Sequence, residues 1–244
     1  NVPANEFLNL EGNKFSTSKN WAIWLDEFLI DFPDMQDALR YTLTVNAPET
    51  KDNDFTWDEF QSRNNNELVS IYGNFVNRVV VLTNKYYNGI IPVVEYRLPE
   101  DEIIIMQTGI IAKKIGSSIE KYKFREASKN LMQIARIGNK YLAEKEPWKL
   151  IDTDPKRVSE IINTALQITV CLALVSEPFL PFTHEKLLSI LNIKSLKLNW
   201  DDAFMKNDLI PSGHQINKAK LLFKKIEDLE IENQRSKLVI NKKK

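Results

Sequence analysis

Apolar side chains recur at steps of three and four along most of the chain, which is the spacing of one face of an α-helix. The pattern predicts helices over residues 21–32, 34–43 and 56–87. Pro33 separates the first two, because proline removes a backbone donor and clashes with the preceding turn. Asp34 is the predicted N-cap of the second helix. The first half of the chain is therefore expected to be largely helical.

Capping signals mark both ends of the long third segment. Thr56, with Glu59 three residues later, has the form of a capping box, in which a hydroxyl and a carboxylate each accept a backbone N–H bond. Asn88 and Gly89 tolerate the left-handed conformation that commonly ends a helix. The segment between these signals is predicted to be one long helix with a narrow apolar seam suited to bundle packing.

The second half of the chain carries further helical patterns. Asp154 followed by Pro155 is typical of a helix start, an N-cap with proline at the first helical position. The helix behind it is apolar on nearly every side over residues 161–175, so we expect it at the centre of a bundle. The remaining predictions are helices over residues 101–117, 124–144 and from the N-cap Thr183 to Leu191, and a basic amphipathic C-terminal helix with a lysine tail over residues 217–244.

Composition narrows the fold class. Only 7 of the 244 residues are glycine, which disfavours a doubly wound nucleotide-binding fold, whose turns and phosphate loops consume glycine. The predicted fold is therefore all-α, a helical bundle preceded by a small helical module over residues 21–55. The longest nearly uncharged apolar run, residues 168–175, is shorter than the roughly 18 residues that span a bilayer, so no membrane is expected as a partner. A single cysteine, Cys171, and the lack of a leader-like start favour the cytoplasm.

Charge is unevenly distributed, although the 33 basic and 33 acidic residues balance. Residues 26–59 hold ten acidic and two basic residues, so a polyanion should avoid this segment. Residues 113–157 hold twelve basic and six acidic residues, which fits an electrostatic footprint for nucleic acid. The alternative is a set of solvated helix faces that carry i, i+4 ion pairs. Charge alone leaves both interpretations open.

Asn74 and Arg78 form the first candidate site. They lie one helical turn apart at the edge of the apolar seam, where they border the core and face outward. Asparagine and arginine are well suited to hydrogen-bond the edges of nucleobases. The alternative is a hydrogen bond between two surface residues at the rim of the helix.

Asn139 and Trp148 form the second candidate site. Asn139 lies on an apolar stripe, where a polar group is costly unless it finds a partner. Trp148 follows Pro147, which ends the helix, so its indole is expected in a rigid interhelical loop. There it could stack on an unpaired base. Alternatively, the indole fills a gap between helices.

The third candidate site is a polar loop near the start of the chain. Lys14, Ser16, Thr17, Ser18 and Lys19 supply ammonium groups and hydroxyls just before a predicted helix. Such groups, together with free backbone N–H groups at a helix start, can hold phosphate. The loop lacks the glycines of a P-loop.

Together the three sites resemble the C-terminal half of bacterial methionyl-tRNA synthetase, a class I aminoacyl-tRNA synthetase, over essentially the whole chain. The run from Lys14 to Ser18 is similar to that class's Lys-Met-Ser-Lys-Ser loop, which stabilises the phosphates of ATP. The resemblance implies catalytic roles for Lys14, Ser16 and Ser18, and ATP binding by Lys14 and Lys19. Thr17 stands where the family has its second lysine, so we expect Lys14 to carry most of the charge and Lys19 to share it.

The other two sites are similar to the family's anticodon-binding elements. The resemblance implies that Asn74 and Arg78 read the first anticodon base, a cytosine, and that Trp148, near Asn139, stacks on a splayed anticodon base. The implied divisions of the chain are the end of a catalytic domain (1–20), a stem-contact module (21–55), an anticodon-binding bundle (56–216) and a C-terminal helix with a basic tail (217–244).

The implied parent activity is the ATP-dependent attachment of methionine to tRNA. The parent would use ATP with magnesium, and its partners would be methionine and the initiator and elongator methionine tRNAs, not DNA. Two histidines and one cysteine predict no metal site in this chain. Because the family's nucleotide-binding fold lies upstream, the fragment alone is expected to be inactive and to bind no cofactor. The alternatives are a helical adaptor for a protein partner and the anticodon domain of another class I synthetase.

Overall fold

A helical bundle forms most of the protein, so the prediction of a mostly helical fold is confirmed. The computed structural model describes residues 3–241 of the chain. In chain order the helices are α1 Leu25–Asp31, α2 Gln36–Val45, α3 Trp57–Ser62, α4 Asn74–Tyr87, α5 Pro99–Glu120, α6 Phe124–Lys145, α7 Pro147–Leu150, α8 Pro155–Ser176, α9 Pro181–Ile190, α10 Asp202–Met205 and α11 Asp228–Asn241.

Helix α8 lies at the centre of the bundle, as its sequence predicts. Residues 160–176 are all buried, and α8 packs against α4, α5, α6 and α9. By length and composition α8 could cross a membrane, but 94% of its most apolar window is buried inside the protein.

The predicted start of α8 is confirmed, because the Asp154 carboxylate accepts the N–H of Arg157 at 3.0 Å and Pro155 follows. Burial raises the pKa of the Cys171 thiol to about 12, as expected for a small core residue.

A continuous helical rod runs from α3 to α4, and its middle is wider than an α-helix. Between α3 and α4, Arg63–Gly73 is a π-helix, which the apolar spacing does not predict. The Thr56 hydroxyl accepts the N–H of Glu59 at 3.1 Å, while the Glu59 carboxylate accepts from Arg63, so half of the predicted capping box forms. Asn88 ends the rod with a φ of 53°, as predicted.

A three-stranded sheet forms in a region predicted to contain only loops and helices. Two of its strands precede α1 in the chain, and the third follows α2. Strand β1, Leu8–Leu10, pairs antiparallel with β2, Asn13–Lys14, and parallel with β3, Asn53–Phe55. The two residues between β1 and β2 have positive φ angles of 48° and 71°, a geometry typical of a tight β-hairpin. Lys14 therefore lies in an edge strand rather than in a loop.

The starts of α1 and α2 differ from the prediction. Trp21 is not the start of a helix: it forms a β-bridge with Ser16, and its indole donates to a carbonyl of β1 at 2.9 Å. As a result α1 begins only at Leu25. Asp34 has a left-handed φ of 64° and does not cap α2, which begins two residues later without a side-chain cap.

Asp37 of α2 joins the N-terminal module to the bundle. Its carboxylate accepts the N–H and the hydroxyl of Thr183 at 2.6 Å each, and the N–H of Phe182 at 3.3 Å. The prediction of Thr183 as an N-cap is therefore wrong: the residue lies inside α9, and a carboxylate from another helix satisfies the free N–H groups. Arg40 adds two bonds to the carbonyl of Pro178, at 2.9 and 3.1 Å.

Residues 217–227 form an extended segment, which we call the strap, although the sequence predicts a helix there. The side-chain amides of Asn64 and Asn65 in the π-helix bond the strap backbone at 2.8 to 2.9 Å. Because these amides satisfy its backbone groups, the strap can stay extended against the rod. Helix α11 begins after the strap, and the predicted lysine tail, residues 242–244, lies outside the described residues.

Gly138 of α6 lies directly against the ring of Phe75 in α4. A Cβ at this position would overlap with ring carbons of Phe75, whose side chain is fully buried in α4. Glycine therefore sets the separation of the two helices. The next residue, Asn139, is held against the helical rod.

We predict that Gly138→Ala destabilises the bundle by about 1–3 kcal/mol, because the added methyl must displace a fixed aromatic ring. Gly109→Ala in α5 is the matched control. The nearest atom to its added Cβ would be a backbone carbon at 3.4 Å, so alanine should be neutral or stabilising there. Urea unfolding followed by circular dichroism measures both variants. Equal stabilities for the two would show that the α4–α6 separation does not depend on this contact.

Candidate nucleic-acid interface

The fold brings the first and second candidate sites together. The Asn74 amide donates to the side-chain oxygen of Asn139 at 3.4 Å, which links the start of α4 to α6. One turn further along α4, the Arg78 guanidinium lies over the ring of Trp148, 5.0 Å from its centroid. Four residues chosen from two distant parts of the sequence therefore form one cluster, which we call the corner cluster: Asn74, Arg78, Asn139 and Trp148.

Asn139 is the polar anchor of this cluster. Its amide donates to the carbonyl of Ile71 at 2.8 Å and to that of Ala135 at 3.1 Å. The first bond reaches into the π-helix, and the second stays within α6. These bonds explain how a polar side chain is tolerated on the apolar stripe of α6. They also fix the direction of its oxygen, which faces Asn74.

Trp148 is held at a sharp corner between α6 and α8. Glu146 ends α6 with a left-handed φ of 42°, and the buried Pro147 starts the short helix α7. The Trp148 side chain is 37% exposed, so it does not fill a gap in the core. Part of the indole faces solvent, and Arg78 lies over its ring.

A buried ionic network supports this corner, and no pattern in the sequence predicts it. Arg157 of α8 binds the fully buried carboxylate of Asp101 in α5, with one of the two bonds at 3.0 Å. Tyr141 of α6 donates to the same carboxylate at 2.6 Å, and Lys145 binds Glu100 at 2.5 Å. The hydrogen bond to Asp101 raises the pKa of the Arg157 guanidinium well above its ordinary value, so it stays charged. The network ties α5, the end of α6 and the start of α8 together.

The third candidate site lies at the edge of the small sheet. Ser16 and Ser18 have their hydroxyl oxygens 3.2 Å apart, and a single 3₁₀ turn, Thr17–Lys19, follows β2. The Lys14 ammonium lies over the ring of Phe7, 5.4 Å from its centroid. Within residues 3–241, no hydrogen bond, ion pair or ring contact joins this loop to the corner cluster. The structure therefore has two separate polar sites.

Comparisons with known sequences assign the chain to a family. The sequence model described as "Anticodon binding domain of methionyl tRNA ligase" matches residues 91–242, which is more than half of the chain. The chain belongs to the methionyl-tRNA ligase family. A second model, described as "tRNA synthetases class I (M)", matches residues 1–80.

Relatives within the methionyl-tRNA ligase family are similar over the full length of this chain. It is 60% identical to the methionine–tRNA ligase of Christiangramia forsetii, covering 99% of this chain and 36% of that protein. It is 55% identical to the enzyme of Phocaeicola vulgatus, covering 100% of this chain and 35% of that protein. The chain thus spans about a third of the length of the curated relatives it matches.

The fold of this methionyl-tRNA ligase fragment also occurs in solved structures. The ligand-free methionyl-tRNA synthetase of Mycobacterium tuberculosis superposes with a TM-score of 0.77 at 17% sequence identity. The match covers 92% of this chain and 43% of that one. At this level of identity the likeness concerns the fold alone.

The basic segment of this family member is only partly neutralised. Five of its twelve basic residues have a carboxylate within 4.0 Å, which fits solvated helix faces: Lys114, Lys140, Lys145, Lys149 and Arg157. In the described part of the chain no ion pair involves the other seven, among them Lys121, Lys129 and Arg136. Arg136 lies on α6 one turn before Asn139. Positive charge therefore remains available beside the corner cluster.

Metal-binding side chains are not grouped in the part of the chain described by the structure. Within those residues, no set of three or more histidine, cysteine, aspartate or glutamate side chains is arranged to hold a metal ion.

Proposed function

We propose that this chain binds the anticodon loop of methionine tRNA and reads its CAU anticodon through Asn74, Arg78, Asn139 and Trp148. The observation that carries the proposal is the joining of an amide pair and a guanidinium–indole pair at one partly exposed corner of the bundle. RNA sequence is read mostly on unpaired, splayed bases, through hydrogen bonds to their edges and stacking on aromatic rings. The cluster offers both kinds of group side by side.

Each member of the cluster has a distinct role in this proposal. Arg78 and Asn74 bond the polar edge of the cytosine, which offers two acceptors and one amino donor. Trp148 stacks on a base of the anticodon. Asn139, whose own bonds run to the helix backbone, orients the Asn74 amide. The exposed basic side chains of α5 and α6 attract the phosphates of the loop.

Anticodon loops carrying CAU occur on initiator and elongator methionine tRNAs, so both are the proposed partners. The direct test measures binding of anticodon stem-loop hairpins that carry CAU or a single-base change, by fluorescence anisotropy at fixed salt. The proposal expects CAU to bind tightest. Equal affinities for all hairpins would instead support a helical adaptor that binds through charge, and preference for another anticodon would indicate a different class I specificity.

We further propose that the complete protein, of which this chain is about a third, attaches methionine to tRNA with ATP and magnesium in the cytoplasm. The loop on the sheet edge suits a triphosphate, because Lys14 and Lys19 are exposed and the hydroxyls of Ser16 and Ser18 lie together. ATP would supply the adenylyl group that is transferred to the methionine carboxylate, with pyrophosphate as the leaving group, and Lys14 would hold its phosphates. The chain alone is proposed to be inactive, because the family's nucleotide-binding fold is not within it.

We predict that Trp148→Ala weakens binding of the CAU hairpin by about 1–3 kcal/mol, the typical contribution of one base stacked on an aromatic ring. Trp24→Ala is the matched control, because Trp24 on the N-terminal module is 39% exposed against 37% for Trp148. Hairpin binding should be unchanged in the control. Full affinity in the Trp148→Ala variant would show that the indole does not contact the RNA. Thermal unfolding of the variant would detect any general loss of structure.

Arg78→Ala and Asn74→Ala are each predicted to relax discrimination at the anticodon cytosine by about 1–3 kcal/mol, because each removes a hydrogen bond to the base edge. Lys121→Gln and Lys129→Gln should instead weaken all hairpins alike and reduce the salt slope by roughly 0.7 for each phosphate that is no longer neutralised. Titrations at several salt concentrations separate the two classes. If Arg78→Ala lowers the affinity for all hairpins equally, Arg78 binds a phosphate of the RNA backbone and not the edge of the cytosine.

In the complete protein, Lys14→Ala is predicted to slow adenylate formation at least about tenfold, or roughly 1.4 kcal/mol, because developing phosphate charge loses its main cation. Lys19→Ala should slow it less, and Thr17→Lys should be neutral or faster. ATP–pyrophosphate exchange measures the rate, with hairpin binding by this chain as the control that stays constant. An unchanged rate of adenylate formation in Lys14→Ala would show that this loop does not stabilise the phosphates of ATP.

A further inference from the structure

Three large apolar side chains lie exposed in a row on α5. Ile103 is 62% exposed, Met106 is 56% exposed and Ile110 is 67% exposed. At 100° per residue, the three fall within roughly 60° of one another, so they form one stripe along the helix, which we call the α5 stripe. Other faces of α5 pack against α6 and α8. The bundle therefore leaves the α5 stripe in contact with solvent.

Helix α10 borders the α5 stripe on one side. It packs against α5 at Gly109, where an added Cβ would lie 3.4 Å from a backbone carbon of Phe204. The Lys113 ammonium lies over the Phe204 ring, 6.0 Å from its centroid, so the lysine is held on this side of the stripe. Met205, the next residue of α10, is exposed as well. The exposed apolar surface on this side of the protein is therefore not limited to α5.

The two ends of the α5 stripe carry charges of opposite sign. Glu102 lies just before the stripe and Lys113 just after it. By helix angle both lie on the side of α10, within roughly 20° of each other. Within residues 3–241, neither side chain forms an ion pair. One edge of the stripe thus begins with an unpaired carboxylate and ends with an unpaired ammonium group.

Two copies of this helix face match each other when they pack antiparallel about a two-fold axis through the middle of the stripe. Ile103 then faces Ile110 of the second copy, and the two Met106 side chains meet near the axis. The two-fold axis keeps the same edge of both helices on one side, so Glu102 of each copy faces Lys113 of the other. In a parallel pair, these two side chains would lie roughly 16 Å apart along the helix axis and could not meet.

We infer that the α5 stripe is a contact between two copies of this chain, packed antiparallel about a two-fold axis. Burial of three apolar side chains from each copy stabilises the contact, and two Glu102–Lys113 pairs fix its direction and register. A contact through one helix face is typically smaller than the roughly 1,200–2,000 Å² of a stable interface, so the dimer is expected to be weak. The inference goes beyond the proposed function, because the contact needs no RNA.

Sedimentation velocity over a wide range of protein concentration, without RNA, tests the contact. The wild-type chain should change from monomer to dimer as its concentration rises. Ile110→Glu should raise the dissociation constant at least about tenfold, because the contact would bury a carboxylate that has no partner. Ile30→Glu is the matched control, since Ile30 is an exposed isoleucine on α1, and this variant should dimerise like the wild type. Circular dichroism checks that both variants keep their helices.

Charge reversal tests the antiparallel order. Glu102→Lys and Lys113→Glu should each raise the dissociation constant about three- to tenfold, because each change brings like charges together at both ends of the contact. An equimolar mixture of the two single variants should recover the dimer, since every charged contact in the mixed pair then joins a lysine to a glutamate. The chain that carries both changes should dimerise like the wild type for the same reason.

Three results would overturn the inference. The first is a wild-type chain that stays monomeric at every concentration, which is also the result expected if another segment of the complete protein covers the stripe. The second is a dimer that Ile110→Glu does not weaken, because that dimer would form through another face. The third is a mixture of the two charge-reversed variants that recovers no dimer. The proposed function is tested separately, by hairpin binding.

Discussion

The contact between Gly138 and Phe75 is the constraint on which the interface depends. Two helices that meet through a glycine and a buried ring can lie closer than helices that meet through larger side chains. That separation brings Asn139 within 2.8 Å of the Ile71 carbonyl and turns its oxygen toward Asn74. Without it, the amide on the apolar stripe would lose the bonds that make its burial tolerable. Packing in the core therefore sets the geometry of polar groups at the surface.

The position of Trp148 against Arg78 depends on a buried charge network rather than on apolar packing. The Asp101 carboxylate is fully buried, and it is tolerated there because Arg157 and Tyr141 both donate to it. Removing one partner of such a group leaves a buried charge unpaired, which typically costs about 3–5 kcal/mol. The network holds the corner at Pro147, where the indole of Trp148 already meets Arg78. Under the proposed function, the pair would therefore not have to be ordered on binding RNA. Preorganisation of this kind lowers the entropic cost of binding.

Local signals in the sequence predicted much of the fold. The ends of the long rod at Thr56 and Asn88, and the start of α8 at Asp154, depend on residues within a few positions of each other, and all three are found as expected. The all-round apolar pattern behind Asp154 placed α8 at the centre of the bundle. The candidate site residues could also be chosen from the sequence, because their side chains suit hydrogen bonding or stacking and lie at the edge of an apolar helix face or at a helix end.

What the sequence did not predict depends on contacts between distant parts of the chain. Helix α9 is capped by Asp37, a carboxylate 146 positions away from Thr183, so no local pattern could indicate it. The strap stays extended because Asn64 and Asn65 bond its backbone, although its own composition suits a helix. The β-strands are two or three residues long and gain order only by pairing with each other. The buried residues of the π-helix, Asn64, Leu68 and Tyr72, recur every four residues. Because a step of four also occurs on one face of an α-helix, the spacing does not reveal the wider turns.

The central claim is that Arg78 and Trp148 act as one preorganised unit in binding the anticodon loop. A double-mutant cycle with Arg78→Ala, Trp148→Ala and the double variant, measured on the CAU hairpin, tests this claim most directly. If the two form one unit, either single change removes most of what both provide, and the summed losses of binding free energy should exceed that of the double variant by about 1 kcal/mol or more. Losses that add to within about 0.5 kcal/mol would show that the two side chains act independently, and would contradict the account.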